Sequence, residues 1–227
     1  MQGREFKDAM FEQFARMSSA FASPKRLEVI DLLAQSPRSV DSLAAETSMT
    51  VANTSRHLQV LRNAGLVTSR RDAQRVVYQI ADSTVVDGYQ ALRHLTESRL
   101  AEVRYLAGAF FGEADGVEPL DVAQLLERRT RGDVVVVDVR PAQEYAAGHI
   151  AGALSVPLAD LAGRIWKLPP GSTVVAYCRG PYCVMAASAV HQLREAGFPA
   201  ARLEIGYPDW LTTSGTTPGT ANKREGH

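Results

Sequence analysis

Apolar residues recur every three or four positions through most of the first half of the chain, which is the spacing of amphipathic helices. A first helix, ending before a proline at position 24, is predicted from Phe6, Met10, Phe14, Met17 and Phe21. Three further helices are predicted over residues 25–34, 40–46 and 51–64, with a tight break at 48–50. Two short helices joined by such a turn form a helix-turn-helix.

The pattern changes after Gly65, a residue that often ends helices. Residues 66–70 and 75–80 read as two β-strands flanking a turn at 72–74, which predicts a hairpin, or wing, after the second helix of the motif. One long amphipathic helix is then predicted from about Ser83 to Phe110. Its apolar stripe is too long for a small domain to cover, so we expect it to need a partner.

In the second half of the chain, strand patterns alternate with helix patterns, which is typical of a parallel sheet in an α/β domain. The predicted strands are 134–139, 154–156, 173–177 and 202–205, and the predicted helices are 121–129, 142–147, 158–167 and 184–196. The continuous apolar run of the first strand predicts burial on both faces.

A chain of 227 residues is long for one domain and suits two. Two glycines, three acids and a proline interrupt the helical pattern at 112–119, as linkers do. We therefore predict a mainly α winged helix-turn-helix domain followed by an α/β domain with a parallel sheet. The predicted bounds are 1–111 for the first domain, 112–118 for the linker, 119–214 for the second domain and 215–227 for a disordered tail.

Charge and composition narrow the classes of protein. The 25 basic and 25 acidic side chains exclude a strongly basic chain, and the 45% hydrophobic content is that of a globular protein. The sequence has neither an apolar signal core nor a membrane-span pattern, so we expect a cytoplasmic protein that does not enter a membrane. Two cysteines cannot form a secreted disulfide scaffold and are more typical of reactive thiols.

The basic excess is local. Between Asn53 and Arg75 there are five arginines and His57 against one acid, Asp72, which is the charge pattern of a surface that meets phosphates. A solvated arginine-rich face would look the same on charge alone. Polar residues on the early turns of a recognition helix can bond base edges. The predicted DNA-binding residues are Thr50, Ala52, Asn53, Ser55, Arg56 and His57 of the helix and Arg70, Arg71 and Arg75 of the wing, with Thr50 as the N-cap and Leu58, Val60 and Leu61 facing the core.

The string TVANTSRHLQVLRNAGLV, followed by RRDAQRVVYQI, resembles the winged helix-turn-helix of the ArsR/SmtB family of bacterial transcriptional repressors. The resemblance implies a homodimer built from the first and last helices of the domain, binding to palindromic double-stranded operator DNA, and derepression by a signal. The helix SLAAETSM lacks the cysteine of the metal-sensing members. The final helix offers as conceivable metal ligands only His94, Glu97 and Glu102. So few ligands are more typical of a solvated surface than of a metal site, so we predict no regulatory metal and no cofactor.

The two cysteines lie in a loop between a predicted strand and a predicted helix. Cys178 follows the strand ending at Tyr177, and Cys183 precedes the helix that opens at Val184. Backbone N–H groups and the positive end of a helix are expected to lower the pKa of a thiol placed there and to stabilise an anionic persulfide. We therefore predict that Cys178 is a nucleophile, with Cys183 as its partner, rather than a buried inert cysteine.

Residues 118–214 resemble a single rhodanese domain. The first signature is DVRPxxEYxxGHIxGA, which contains Asp138, Arg140, Glu144 and His149, and YCRGPYC is similar to the family's active-site loop. The segment from Gly206 to Trp210 is an approximate match to a third motif. By resemblance, Cys178 accepts a sulfane sulfur and becomes a persulfide, the loop residues Arg179, Gly180, Pro181 and Tyr182 cup that sulfur, and the four signature residues hold the sheet and the loop together.

One departure from the rhodanese pattern bears on mechanism. Cys183 stands where thiosulfate-using rhodaneses often have an arginine, which weakens the case for an anionic donor and supplies a second thiol that can attack a persulfide. We expect a transcriptional repressor that senses reactive sulfur species. Its small-molecule partner is expected to be a sulfane-sulfur donor or a small thiol. Two alternatives stay open. They are a sulfurtransferase enzyme with an autoregulatory DNA-binding domain and a thiol-based arsenite or soft-metal sensor.

Overall fold

The computed structural model describes residues 2–115 and 119–213. The chain divides after Leu92 into two compact units. The first is mainly helical with a small antiparallel sheet, and the second is an α/β unit with a parallel sheet, so the predicted fold class is confirmed. Over the described parts of the chain, no helix combines the length and apolar character that a membrane crossing needs.

The first unit contains the predicted winged helix-turn-helix. Its helices are α1 (Gly3–Phe21), α2 (Pro24–Gln35), α3 (Val40–Glu46) and α4 (Val51–Asn63), and its strands are β1 (Arg38–Ser39), β2 (Val67–Asp72) and β3 (Arg75–Ile80). The strands pair antiparallel in the order β1-β3-β2. The wing is therefore the β2–β3 hairpin, and the short β1, which sequence reasoning missed, extends its sheet.

The core of the first unit lies between α2, α3, α4 and the wing. Val29, Ile30, Leu43, Leu58 and Leu61 are fully buried there. Helix α1 behaves differently, because most of its apolar stripe is exposed. The exposed side chains of α1 are Phe6, Met10, Phe11, Phe14 and Met17.

The prediction of one helix from about Ser83 to Phe110 was wrong. The structure has two helices, α5 (Ser83–Arg99) and α6 (Ala101–Asp115), separated at Leu100. Carbonyls at a helix end need other donors, and Arg104 Nη1 donates to the Glu97 carbonyl at 3.1 Å. Side-chain capping of this kind lets a helix end without the glycine or proline that sequence reasoning looks for.

The expected linker also differs. Helix α6 continues through Gly112 to Asp115, so the chain is still helical where a linker was predicted to begin. Residues 116–118 lie outside the described residues, as does the predicted tail at 215–227. The division after Leu92 falls earlier than the predicted domain boundary, because α6 and the end of α5 belong to the second unit. The bounds of the two domains stay predictions.

The second unit alternates helices and strands as predicted. After α6 its helices are α7 (Val122–Arg131), α8 (Ala142–Ala147), α9 (Leu161–Arg164), α10 (Val184–Glu195) and α11 (Tyr207–Thr213), and its strands are β4 (Val134–Asp138), β5 (Leu154–Ser155), β6 (Thr173–Tyr177) and β7 (Ala200–Arg202). The four strands are parallel, in the order β5-β4-β6-β7.

Two local predictions in this unit need correction, and one helix was missed. The helix predicted over 158–167 is split into α9 and two flanking 3-10 turns. The last strand lies at Ala200–Arg202 rather than 202–205, since Val174 of β6 pairs with Ala200. Small residues such as Ala200 carry little strand signal, although their burial suits a strand packed on both sides. Helix α11 was not predicted.

Alternate residues of the central strands face two different cores. Val174 and Ala176 of β6 pack with α10 on one side, whereas Val175 and Tyr177 pack on the other side with Leu125 and Trp210. This is the double burial expected of a parallel sheet covered on both faces. Cys178 follows β6 and lies on the same side as Val174 and Ala176, where its side chain is buried in the same core as α10.

Candidate functional site

The start of α4 is held by a side-chain cap. Thr50 has an extended backbone, and its Oγ1 accepts a hydrogen bond from the Asn53 N–H at 3.2 Å, as predicted for an N-cap. Leu58 and Leu61 face the core as expected, but Val60 is 42% exposed, so its predicted burial was wrong. The sequence assigned Val60 to the core from its type alone, while the helical period places it on the opposite side from Leu58.

The predicted DNA-reading residues of α4 lie on its accessible surface. Thr50, Ala52, Asn53, Ser55 and Arg56 are exposed, and His57 is half-buried. Burial lowers the pKa of His57, and the neighbouring charge of Arg26 lowers it further. Both effects favour the neutral imidazole, which has N–H and lone-pair sites available for a base edge or a phosphate.

The wing presents its predicted arginines in the same way. Arg70, Arg71 and Arg75 are all exposed, on the two strands of the hairpin. Arg70 Nη1 lies 3.6 Å from the carboxylate of Asp72. An exposed pair of this kind is weak, so the guanidinium can exchange Asp72 for a phosphate at low cost.

The cysteine loop connects β6 to α10. Strand β6 ends at Tyr177, the loop covers residues 178–183, and α10 begins at Val184 with Cys183 in the N-cap position. Cys178 and Cys183 are joined by a disulfide, with their Cα atoms 6.1 Å apart. The loop is thus a ring closed by sulfur, and a cysteine pair in this arrangement is capable of thiol–disulfide exchange.

A buried ion pair lies under this loop. Arg140 and Asp138 are both fully buried, with Nη2 of the arginine 2.6 Å from Oδ2 of the aspartate. Burial acts to lower the pKa of Arg140, but the hydrogen bond and charge of Asp138 outweigh it and the pKa is raised. Tyr177 also donates to Asp138, and its burial raises its pKa. Asp138 therefore ties the end of β4 to the end of β6.

A second ion pair holds the loop itself. Nη2 of Arg179 lies 2.6 Å from Oε1 of Glu144, whose side chain is fully buried, and the arginine's Nε donates to the same carboxylate. His149 stacks on Tyr145 with ring centroids 3.7 Å apart, and its Nδ1 lies 3.0 Å from the Tyr145 carbonyl. All four signature residues predicted to hold this region are buried. Their positions suit that role, which stays a prediction.

The loop is backed by the segment before α11. The Tyr207 N–H donates to the Cys178 carbonyl at 3.2 Å. A Cβ on Gly206 would overlap backbone atoms of Arg179 and Gly180, so only glycine allows this approach. The approximate sequence match at Gly206–Trp210 therefore marks a real contact with the loop.

Three side chains that support the loop were missed by sequence reasoning. Tyr182 donates to Glu97 Oε1 at 2.9 Å, and Arg93 forms an ion pair with Asp209. Arg93 is 116 positions away from its partner and belongs to no recognisable motif. Asp209 lies in the approximate match at Gly206–Trp210, but the sequence assigned it no role. Helical spacing places Arg93 and Glu97 on one face of α5, but nothing in the sequence indicates what that face contacts.

Within residues 2–115 and 119–213, no group of three or more His, Cys, Asp or Glu side chains is arranged to hold a metal ion. Glu97 contacts Tyr182 and Arg93. It is one of the three conceivable metal ligands named from the sequence.

Comparisons with known proteins agree with this two-part organisation. A family model described as the bacterial regulatory protein arsR family matches residues 23–69, and one described as the rhodanese-like domain matches residues 121–213. The HTH-type transcriptional regulator Rv0324 of Mycobacterium tuberculosis is 41% identical over 204 residues, which is 90% of this chain and 89% of that protein. The HTH-type transcriptional regulator YgaV of Escherichia coli is 40% identical over 78 residues, covering 34% of this chain and 79% of that protein.

Among solved structures, the chain is similar to the homodimeric winged helix-turn-helix DNA-binding domain of a Mycobacterium bovis protein. The identity is 34% and the TM-score 0.41, with 45% of this chain and 93% of that fragment covered. A helix-turn-helix with a wing, joined to a rhodanese-like domain with a cysteine loop, defines the class of protein. The chain belongs to the arsR family of bacterial regulatory proteins and carries a C-terminal rhodanese-like domain, and it is a transcriptional regulator of the ArsR/SmtB type.

Proposed function

We propose that this regulator represses transcription by binding operator DNA, and that it releases the DNA when reactive sulfur species modify Cys178. The observation that carries the proposal is the pairing of Cys178 with Cys183 across the loop of the rhodanese-like domain. A sulfur atom accepted by the first thiol is within reach of the second, so a sulfur signal can be converted into a change of loop conformation.

The chemistry has two steps. The Cys178 thiolate attacks the outer sulfur of a persulfide RSSH, which forms Cys178–S–SH and releases the thiol RSH. The Cys183 thiolate then attacks the inner sulfur of that persulfide, which forms the Cys178–Cys183 disulfide and releases H₂S. RSSH is the oxidant and the two cysteines lose the electrons, and a small thiol such as glutathione resets the pair by reducing the disulfide.

The charges around the loop favour a persulfide or polysulfide donor over thiosulfate. Thiosulfate is a dianion and needs cations at the loop. The Arg179 guanidinium is engaged by Glu144, and Cys183 occupies the position where thiosulfate-using rhodaneses often have an arginine. A neutral or singly charged persulfide or polysulfide fits this environment better.

The DNA-binding half of the proposal rests on the exposed polar residues of α4 and the wing. Asn53 and Arg56 are residue types that bond adenine and guanine bidentately, and Ser55 and His57 suit base edges or phosphates. Exposed wing arginines suit the adjacent backbone or minor groove. The exposed apolar stripe of α1 supports a homodimer that uses the first and last helices of the domain. Sedimentation equilibrium would measure whether the protein is a dimer.

The decisive experiment titrates the reduced protein against DNA from its own promoter, before and after polysulfide treatment, with intact-mass spectrometry on the same samples. We expect polysulfide to lower DNA affinity at least tenfold, which is about 1.4 kcal/mol, and a reductant to restore it. Cys178→Ser should bind DNA as tightly as the reduced wild type and not respond. Cys183→Ser is the matched control. It should accept one sulfur atom on Cys178 and keep it, so the mass of the protein should stay raised by that one sulfur atom.

Each alternative has its own outcome in this experiment. If Cys178→Ser still loses DNA on polysulfide treatment, the sensing role of this cysteine is wrong. If sulfur loads on Cys178 and passes to cyanide while DNA affinity does not change, the protein is a sulfurtransferase with an independent DNA-binding domain. Release of DNA by arsenite alone would favour a soft-metal sensor, although two thiolates make an incomplete site for such ions.

A further inference from the structure

Two charged residues at the end of α5 contact the cysteine loop and the segment that backs it. Glu97 accepts the hydrogen bond from the Tyr182 hydroxyl at 2.9 Å. Arg93 pairs with Asp209, and Asp209 Oδ2 accepts a weaker hydrogen bond from the Gly206 N–H at 3.4 Å. One turn of helix therefore reaches the loop by two routes, one direct and one through Asp209 and Gly206.

These contacts are partly withdrawn from water. The side chains of Arg93 and Asp209 are 13% and 7% exposed, and that of Glu97 is 27% exposed. Arg93 Nε also lies 3.4 Å from Glu97 Oε1, so the two helix residues support each other. Burial, together with the hydrogen bond to Glu97, raises the pKa of Tyr182 to about 12. The phenol therefore keeps its proton, and remains a donor, throughout the physiological range.

Tyr182 should move when the state of the cysteines changes, because it immediately precedes Cys183. With the disulfide closed, residues 178–183 form a short ring in which Tyr182 has little freedom. When the bridge is opened, Cys183 is held to Cys178 only through the main chain, and the loop regains conformational freedom. The position of the Tyr182 hydroxyl thus depends on the state of the bridge.

We propose that Arg93 and Glu97 form a clamp that recognises the bridged conformation of the cysteine loop and releases Tyr182 when the bridge opens. The clamp is built on α5, which also supplies Val85 and Tyr89 to the core of the first unit. This inference rests on the proposed function, since it names the residues through which the redox state of Cys178 and Cys183 is read. Arg93 and Glu97 are positioning residues and take no part in the sulfur chemistry.

The clamp has a thermodynamic consequence that can be measured. A contact made only in the bridged form stabilises the disulfide relative to the dithiol and lowers its reduction potential. Reduction by two equivalents of glutathione gives two cysteine thiols and one glutathione disulfide, so the equilibrium constant follows from buffers of known composition. Removing one charge-assisted hydrogen bond at a half-exposed site should make the disulfide about three- to tenfold easier to reduce, or about 15–30 mV.

The test uses the full chain with Tyr182→Phe and Glu97→Gln, equilibrated in glutathione redox buffers, with thiol trapping and intact-mass analysis. Both variants should show the raised potential, and the double variant should go no further than the larger single effect, because both remove one interaction. Tyr105→Phe and Glu102→Gln are matched controls, since both residues are exposed on α6, and they should keep the wild-type potential. A wild-type potential in Tyr182→Phe would overturn the clamp.

DNA titration separates this inference from the proposed function. In Tyr182→Phe the difference in DNA affinity between bridged and reduced protein should shrink toward none, while polysulfide still forms the bridge at the wild-type extent. If the wild type shows no such difference, the proposed function fails, and the potentials alone decide whether the clamp exists. If the variant keeps the full wild-type difference, α5 does not read the loop through Tyr182 and the inference is wrong.

Discussion

The recognition helix and the cysteine loop are held in different ways. In α4 a single cap at Thr50 and the buried Leu58 and Leu61 fix the helix, and the polar residues that face outward depend on little else. In the loop, three of the six residues from 178 to 183 are held by distant partners. Arg179 is held by Glu144, Tyr182 by Glu97 and the Cys178 carbonyl by Tyr207.

The difference suits the two tasks that we propose for these regions. A surface that binds DNA needs accessible donors on a rigid scaffold, and an amphipathic helix provides both from local sequence. A loop that changes state needs contacts that exist in one state and are lost in the other. Substitutions should therefore separate the two regions. Those near the loop should affect stability and redox behaviour, and those on α4 should affect DNA affinity alone.

The largest expected effect comes from the buried ion pair under the loop. Arg140→Met leaves the Asp138 carboxylate buried without its partner guanidinium, and we expect the free energy of unfolding to fall by about 3–5 kcal/mol. Arg131→Met is the matched control, because its pair with Glu127 is 62% exposed on both sides and should contribute less than about 1 kcal/mol. Urea denaturation would measure both. An equal loss in the two variants would contradict the role assigned to the buried pair.

The next effect comes from the close approach behind the loop. In Gly206→Ala the new Cβ would overlap main-chain atoms of Arg179 and Gly180, which cannot rotate away as a side chain can. We expect a loss of about 2–3 kcal/mol in the free energy of unfolding, together with faster trapping of the reduced Cys178 by an alkylating reagent. Gly163→Ala is the control, since a Cβ there meets nothing within 4 Å. Unchanged stability in Gly206→Ala would show that this approach is not needed.

Particular residues show how much the sequence could predict. The strand Thr173–Tyr177, helix α8 and strand β3 were predicted with the bounds the structure has, because periodicity and glycines are local signals. The break at Leu100 was missed because the capping donor is a side chain, Arg104, rather than a glycine or proline. Strand β7 was displaced because alanines carry little strand signal.

The supports of the site were the least predictable part. The sequence could predict Cys178 and Cys183 as the reactive residues, because a strand precedes them and a helix follows them. The pairing of Arg93 with Asp209 could not be predicted, because Arg93 belongs to no motif and an ion pair between residues 116 positions apart leaves no periodic signal in one sequence. Gly206 had a weak signal in its approximate match to a family motif. Its physical reason, contact with the backbone of the loop, became visible only in the fold.

The smallest expected change in free energy concerns the recognition helix and tests the other side of the comparison. Arg56 is exposed at the second turn of α4. Arg56→Ala should therefore leave the free energy of unfolding within about 0.5 kcal/mol of the wild type. If Arg56 reads a base, its loss should weaken binding to promoter DNA by about 1–2 kcal/mol, or roughly five- to thirtyfold, and relax the preference at one base pair. Arg128→Ala, an exposed arginine on α7, should alter neither quantity, and fluorescence anisotropy with matched promoter and scrambled duplexes would measure both variants. A uniform loss on both duplexes would instead assign Arg56 to a phosphate, and no loss on either would remove it from the DNA-binding surface.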